Sequence, residues 1–338
     1  MLNLKLFNRI RNLTANKALV LMYHRIADLT TNPWQLGVSP CNFEQQLKVL
    51  QTKYKLISVA DLITQLSQKS ITSNTVCITF DDGYRDNYIA AKPLLEKYET
   101  PATFFISTQY VEQQKSFWWD ELERIILSPK RLPSILSITI DKELFVFQLE
   151  NDDVLTDELR EKQKTWVWTE KPPTRRCELY LALHRRLKPL PYNELQSVIR
   201  EIKSWSEYDK VFKEDLPMTN QQLKDIAIQP LFDIGLHTAR HSALPFHNRE
   251  MQFKEIADNE QSLKDNCEKF ARLLAYPFGA YNKATISVVK EQKLNAAFTT
   301  MEKPVTNSSD PYQLGRFQVK NWDGKEFERR ISNSIKNY

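Results

Sequence analysis

Glycine is scarce in this chain: its 338 residues contain 6, where average usage of about 7% would give roughly two dozen. A chain this poor in glycine should keep it where a side chain does not fit or where φ must be positive. Histidine is scarce too, with 5, and cysteine numbers 4. Cys41, Cys77, Cys177 and Cys267 lie far apart with no paired-thiol spacing. That pattern signals neither a zinc knuckle nor a disulfide framework, and reduced thiols are the expectation. No run approaches the roughly 18 to 20 apolar residues of a membrane span, and the start lacks the apolar core and small-residue cleavage site of a secretory signal. A cytoplasmic protein is expected on these grounds. In residues 1–17, Leu, Phe and Ile alternate with Lys5, Arg9, Arg11 and Lys17. Such a segment can lie on the inner face of an anionic membrane or pack as a basic helix on the outside of the main domain. The net charge of +5 is modest, and no nucleic-acid partner is implied.

Against these absences, three short segments concentrate the chemistry. Thr79-Phe80-Asp81-Asp82-Gly83 closes the apolar run Val76-Cys77-Ile78 and puts two adjacent carboxylates at the mouth of a buried strand. Neighbouring Asp side chains repel each other and lose hydration there, a cost that a cation or a reacting proton offsets. About 150 residues later, His237-Thr238-Ala239-Arg240-His241 supplies two imidazoles four apart, a spacing that one helical turn or a tight loop aims at one point. The third segment, Ala275-Tyr276-Pro277-Phe278-Gly279, follows apolar Leu273-Leu274. Gly83, Gly235 and Gly279 fall in or beside these segments, as do His237 and His241, whereas His184 and His247 do not.

Periodicity supplies the frame. Strands are expected at Ala18–Tyr23, Val76–Phe80, Ala102–Ile106, Phe232–Leu236, Leu273–Tyr276 and Ala296–Thr300. Helices are expected at 43–54, at 59–66 after a Ser58 cap, and at 87–98, 219–227, 249–267 and 283–293. This βα alternation predicts a parallel sheet or barrel of six to eight strands, with its active site at the C-terminal strand ends. The rhythm breaks between about 117 and 217. That stretch opens on Phe117-Trp118-Trp119, alternates like a strand pair over 138–149, and is charge-dense with helical spacing over 159–205. It is expected to be a mainly helical insertion in a domain spanning 18–338, either a substrate-binding cap or a structural or dimerisation insert.

In their order, Thr-Phe-Asp-Asp-Gly-Tyr, Gly-Leu-His-Thr-x-x-His and Tyr-Pro-Phe-Gly resemble the polysaccharide deacetylase family and its NodB homology domain. Leu21-Met22-Tyr23-His24-Arg25-Ile26 resembles the Tyr-His segment of the circularly rearranged branch, which includes bacterial poly-N-acetylglucosamine deacetylases. The resemblance implies an α/β fold, a distorted (β/α)7-type barrel, and a divalent metal held by Asp82, His237 and His241. Zinc is the likeliest ion for such a donor set. The family pattern also implies Asp81 as general base, His24 as the acid that protonates the leaving amine, and the backbone amide of Tyr84 as an oxyanion donor.

The sequence departs from the family in two places. Ala275 stands where many members carry an arginine that orients the base, so Arg316 of Leu314-Gly315-Arg316-Phe317, or else Arg25, is expected to supply the guanidinium. No histidine follows residue 282, where many members place their acid, and this is why His24 is assigned that role. Tyr276, Pro277, Phe278 and Trp118 are expected to wall the sugar pocket, by stacking of aromatic faces. The activity implied is removal of acetyl from an N-acetylated amino sugar of a bacterial surface polysaccharide or its lipid-linked precursor. The alternatives are an O-acetyl esterase or other amide hydrolase on the same metal, and a glycan-binding relic.

Overall fold

The computed structural model describes residues 16–210 and 212–337. The basic segment discussed for residues 1–17 lies, except for its last two residues, outside them. Among the described residues twelve strands occur in chain order: β1 (Ala18–Tyr23), β2 (Arg25–Ile26), β3 (Gly37–Val38), β4 (Lys55–Leu56), β5 (Thr75–Phe80), β6 (Ala102–Ile106), β7 (Ile135–Ile140), β8 (Glu143–Gln148), β9 (Phe232–Leu236), β10 (Leu273–Ala275), β11 (Ala296–Phe298) and β12 (Phe317–Gln318). Seven of them form one curled sheet in the order β11-β10-β9-β6-β5-β1-β12, with β4 added beside β5. Every pairing in it is parallel. Its two edges meet through one short segment. Leu314 exchanges backbone hydrogen bonds with Ala297 and Thr299 past β11, and three residues later Phe317 pairs with Leu21 of β1. The sheet is therefore the expected distorted (β/α)7-type barrel.

The strands read as unbroken apolar runs because both faces are covered. Alternate residues Leu19, Leu21, Tyr23, Val76, Ile78, Phe80, Phe104 and Ile234 pack against the surrounding helices. Their neighbours Ala18, Val20, Cys77, Phe105, Ala275 and Phe298 pack together as a separate cluster inside the barrel. Strand side chains alternate with a period of two. Continuing the inner row toward the C-terminal ends therefore leads from Val20 through Met22 to His24, from Cys77 through Thr79 to Asp81, and from Gly235 to His237. Gly235 is required there: a Cβ would stand 2.6 Å from the Phe105 ring.

Helix starts follow their caps. Ser58, Asn248 and Thr219 each accept a backbone N–H three positions on, and Thr219 forms a capping box with Gln222. The helix expected over 87–98 begins as a π turn at Asn87–Ala91 and continues as an α-helix at Lys92–Lys97. Neither the two-residue β12, too short to show a period, nor the terminal helix Gly324–Asn337 was among the expected elements; the helix buries Phe327 and Ile331, four apart, and packs on the helix Pro40–Lys53.

Between Trp118 and Ser206 lie four helices, Trp118–Leu127, Asp157–Thr165, Arg175–Leu187 and Tyr192–Ser206, and the antiparallel hairpin β7–β8. Apart from Asp157–Thr165, these helices and the hairpin share a hydrophobic cluster of their own, built on Trp118, Trp119, Leu122, Ile126, Leu136, Ile138, Leu179, Tyr180, Leu183 and Ile199. Tyr84, from the turn after β5, belongs to the same cluster. Among the described residues, no helix is long and apolar enough to cross a membrane.

Candidate metal centre and active site

Beyond β5 the chain makes a tight turn in which Asp82 takes a left-handed conformation (φ 72°) and Gly83 follows at φ 94°. Left-handed backbone is costly for residues other than glycine and clusters where a side chain must be aimed. The same signature recurs at Thr238 (58°), His241 (54°) and Phe278 (57°). All four positions lie in the segments singled out from the sequence.

These turns bring Asp82, His237 and His241 together, with one ligand-capable atom of each within 4.8 Å of the others. Both Nε2 atoms lie 3.2 Å from Asp82 Oδ1, all three residues are buried, and yet that oxygen has no partner in hydrogen-bond geometry. Lone pairs aimed at one point, rather than at each other's protons, are what a cation requires. His237 Nδ1 donates to the Ala275 carbonyl at 2.8 Å. The contact fixes the tautomer and leaves Nε2 free to ligate. The residue that departs from the family pattern thus contributes its backbone instead. Asp82 is held well below the usual carboxylate range by the two imidazoles, which outweigh its burial. Burial pushes His241 down to about 4, so its ring is neutral at pH 7, as a ligand must be.

Asp81 sits beside this cluster, buried, with both oxygens bound by Arg316: Nη1 at 2.6 Å and Nη2 at 2.7 Å. Arg316 is fully buried and also donates to the Thr299 carbonyl and to Thr79 Oγ1. Burial raises the Asp81 carboxyl, but the guanidinium overcomes it and the net shift is downward. Arg25, the other expected source of the guanidinium, turns away to Asp86 at 3.0 Å and Asp215 at 2.9 Å. His24 Nε2 stands 4.0 Å from Asp81. Its backbone is pinned by Asn87, whose Nδ2 donates to the His24 carbonyl at 2.7 Å, and burial lowers its imidazole below the ordinary value.

The Tyr84 side chain points into the insertion, donating to Asp120 at 2.7 Å and accepting from Trp119 Nε1 at 2.8 Å. Pairing of the turn with the chain leaving the insertion uses the Gly83 carbonyl and the Arg85 amide. In that register the Tyr84 amide faces away from the pairing.

These groups open into one cavity of 530 Å³, lined by His24, Asp81, Asp82, His237 and His241 together with Trp34, Trp119, Trp168, Leu181, His184 and Phe278. Of the residues expected to wall it, Phe278 does so. Tyr276 does not: its ring is buried in the core, stacked on Tyr281 with its hydroxyl on the Tyr312 carbonyl. Pro277 is also buried off the cavity. The left-handed Phe278 reverses the chain direction, and that turn separates its ring from its neighbours. Trp118 lies behind the wall against His184, ring centroids 4.9 Å apart, while Trp119 faces the cavity and packs on His241 at 4.5 Å. A helix places adjacent residues about 100° apart, so only one of a tandem pair can face the site.

Several contributors carried no motif. Asn259 accepts from the His237 amide at 2.9 Å and donates to the Ile106 carbonyl and Thr108, both at 3.0 Å. Glu255 receives the Arg240 amide and side chain. Both stand on the helix Arg249–Asn266 and brace the His237–His241 loop. Their only sequence signal is polarity on a helix face that must be buried.

A family model described as polysaccharide deacetylase matches residues 68–131 and 200–297. The chain belongs to the polysaccharide deacetylase family. The gap between the two matched stretches falls on the insertion. A poly-beta-1,6-N-acetyl-D-glucosamine N-deacetylase of Staphylococcus aureus is 22% identical, over 91% of this chain and 84% of that protein. The Staphylococcus epidermidis protein of the same name is 30% identical over 33% of this chain and 45% of its own length. Among solved structures, IcaB from Ammonifex degensii aligns with TM-score 0.58 and 16% identity, covering 95% of this chain and 97% of its own. Streptococcus pyogenes deacetylase PplD in complex with acetate aligns with TM-score 0.57 and 17% identity, covering 94% and 98%. At these identities the structural matches establish the shared fold.

Proposed function

We propose that this chain is a metal-dependent N-deacetylase that removes acetyl groups from an N-acetylated amino sugar of a bacterial surface polysaccharide or its lipid-linked precursor. The observation that carries the reading is the convergence of Asp82, His237 and His241 in one cavity with the Arg316-bound Asp81 and with His24. Membership of the family and the names of the relatives support it.

Asp82, His237 and His241 would hold the ion, for which zinc suits the nitrogen and carboxylate donors. Bound there, a divalent ion acidifies a water and polarises the acetamide carbonyl. Asp81 accepts the proton of the attacking water, with Arg316 fixing both carboxylate oxygens in the orientation for transfer. The Tyr84 amide donates to the oxygen on which negative charge develops. His24, across from Asp81, delivers a proton to the departing nitrogen. Trp34, Trp119, Trp168 and Phe278 offer ring faces for pyranoses and exclude water.

Acetate release from a β-1,6-linked N-acetylglucosamine oligomer tests the reading. Wild type releases acetate and leaves a free amine, and Asp81→Asn and His241→Ala do not. Faster turnover of an O-acetylated sugar than of its N-acetyl counterpart would shift the assignment to an esterase.

A further inference from the structure

The helix Arg175–Leu187 and the residue after it bring two cations, Arg185 and Lys188, onto the wall of the same cavity. The other arginines of this helix have partners: Arg175 pairs with Glu178, Arg186 with Glu143, and buried Arg176 donates to the carbonyls of Asp152, Pro129 and Asp153. Arg185 and Lys188 have no carboxylate partner among the described residues. Lys188 is half-buried, with its Nζ 4.3 Å from the centre of the Phe278 ring. His241 also packs on that ring, with centroids 4.5 Å apart.

Nothing else in the cavity offsets these two charges. Asp81 is neutralised by Arg316, Asp82 faces His237 and His241 at the candidate metal centre, and His184 is pushed down to about 3 by burial and therefore uncharged. An ammonium loses hydration when it is half-buried, and an aromatic face returns only part of it. An anion arriving with a ligand would complete such a cation through charge-assisted hydrogen bonds.

Resting on the deacetylase reading of this site, we propose that the substrate carries an anionic group beside the acetamido sugar, and that Lys188 with Arg185 receives it. Phosphate and carboxylate oxygens share the chemistry required. One source is a phosphate at the reducing end of a lipid-linked precursor; the other is a carboxylate on a neighbouring sugar. The same wall repels a neighbouring sugar that already bears a free ammonium, so stretches already deacetylated at that position bind less well.

The test uses the full chain and three disaccharides: neutral di-N-acetylglucosamine, its 1-phosphate, and an N-acetylglucosamine joined to a hexuronic acid. Binding is measured by calorimetry and turnover by acetate release, for wild type, Lys188→Met, Arg185→Met/Lys188→Met and Lys188→Arg. At least one anionic ligand is expected to bind about tenfold tighter than the neutral one, the size of a single charge-assisted contact. The anionic arm with the advantage identifies the source. That ratio collapses toward one in the Met variants, returns in Lys188→Arg, and shrinks at high salt. Equal or tighter binding of the neutral disaccharide by wild type, or a ratio that survives the double substitution, overturns the proposal. Acetate released from all three at equal rates, with equal affinities, overturns the anion site alone. Preferential anion binding without acetate release from any of them sustains the anion site and overturns the deacetylase reading.

Discussion

Arg316 grips both carboxylate oxygens of Asp81 from a position 235 residues later in the chain, at 2.6 and 2.7 Å. Arg316 reaches the barrel interior because residues 314–318 stitch the two edges of the sheet together. Closing the barrel and orienting the carboxylate are therefore done by one segment. In consequence, Arg316→Lys, which keeps the charge but not the planar fork, should lower kcat about a hundredfold with KM little changed. Steady-state acetate release, with circular dichroism to verify folding, checks it. An unchanged kcat would mean that the fork does not set the base.

His24 carries a pH prediction. Burial holds its imidazole below the ordinary value of about 6.5 in spite of Asp82 and Asp81, which push it up. A proton donor of lowered pKa loses its proton as pH rises through that lowered value. kcat/KM reports the free enzyme, so it should fall on the alkaline side with a midpoint below the ordinary imidazole value. The limb should vanish in His24→Ala, which retains a low residual rate. A variant that keeps the limb would assign the acid elsewhere.

Trp119 packs on His241 at 4.5 Å and is anchored by its indole N–H on Tyr84. Trp119→Ala should loosen the imidazole and weaken metal binding about 10- to 100-fold, as loss of a ligand's supporting neighbour does. Competition against a chelating dye measures this. Trp118→Ala serves as the comparison: that ring backs the wall without touching His241, so its main effect should be on stability. Equal effects of the two on metal affinity would contradict the assignment.

Gly235→Ala tests the packing of the inner row. Its Cβ would stand 2.6 Å from Phe105, a ring that lies beneath Arg316 with the guanidinium carbon 5.6 Å from its centre. Overpacking of this kind costs about 1 to 3 kcal/mol, and it should displace Arg316 as well. A fall in Tm accompanied by a fall in kcat is expected; an unaltered Tm would show that Phe105 yields freely.

The barrel was legible because its strands are continuous apolar runs separated by amphipathic helices, a pattern strong enough to survive without neighbours. The candidate metal cluster was legible because Asp81-Asp82 and His237/His241 are expensive to bury without a purpose. Arg316 could be suspected only from the empty role left by Ala275, since β12 beside it is two residues long and has no period to read. Tyr276, Pro277 and Trp118 were misplaced because type and proximity in sequence do not say which way a ring points; a left-handed Phe278 and one step around a helix decided it. His184, Lys188 and Trp168 reach the cavity only through the folding of the insertion, which no local pattern encodes. Asn259 and Glu255 brace residues 22 and 15 positions earlier in the chain, His237 and Arg240.

The most direct measurement is metal stoichiometry by inductively coupled plasma mass spectrometry on the purified chain dialysed against trace zinc. One equivalent of divalent ion per wild-type chain is predicted, with loss to background in Asp82→Ala, His237→Ala and His241→Ala and retention in Asp81→Asn. No bound ion in wild type, or an ion that persists when all three ligands are replaced, would contradict the account.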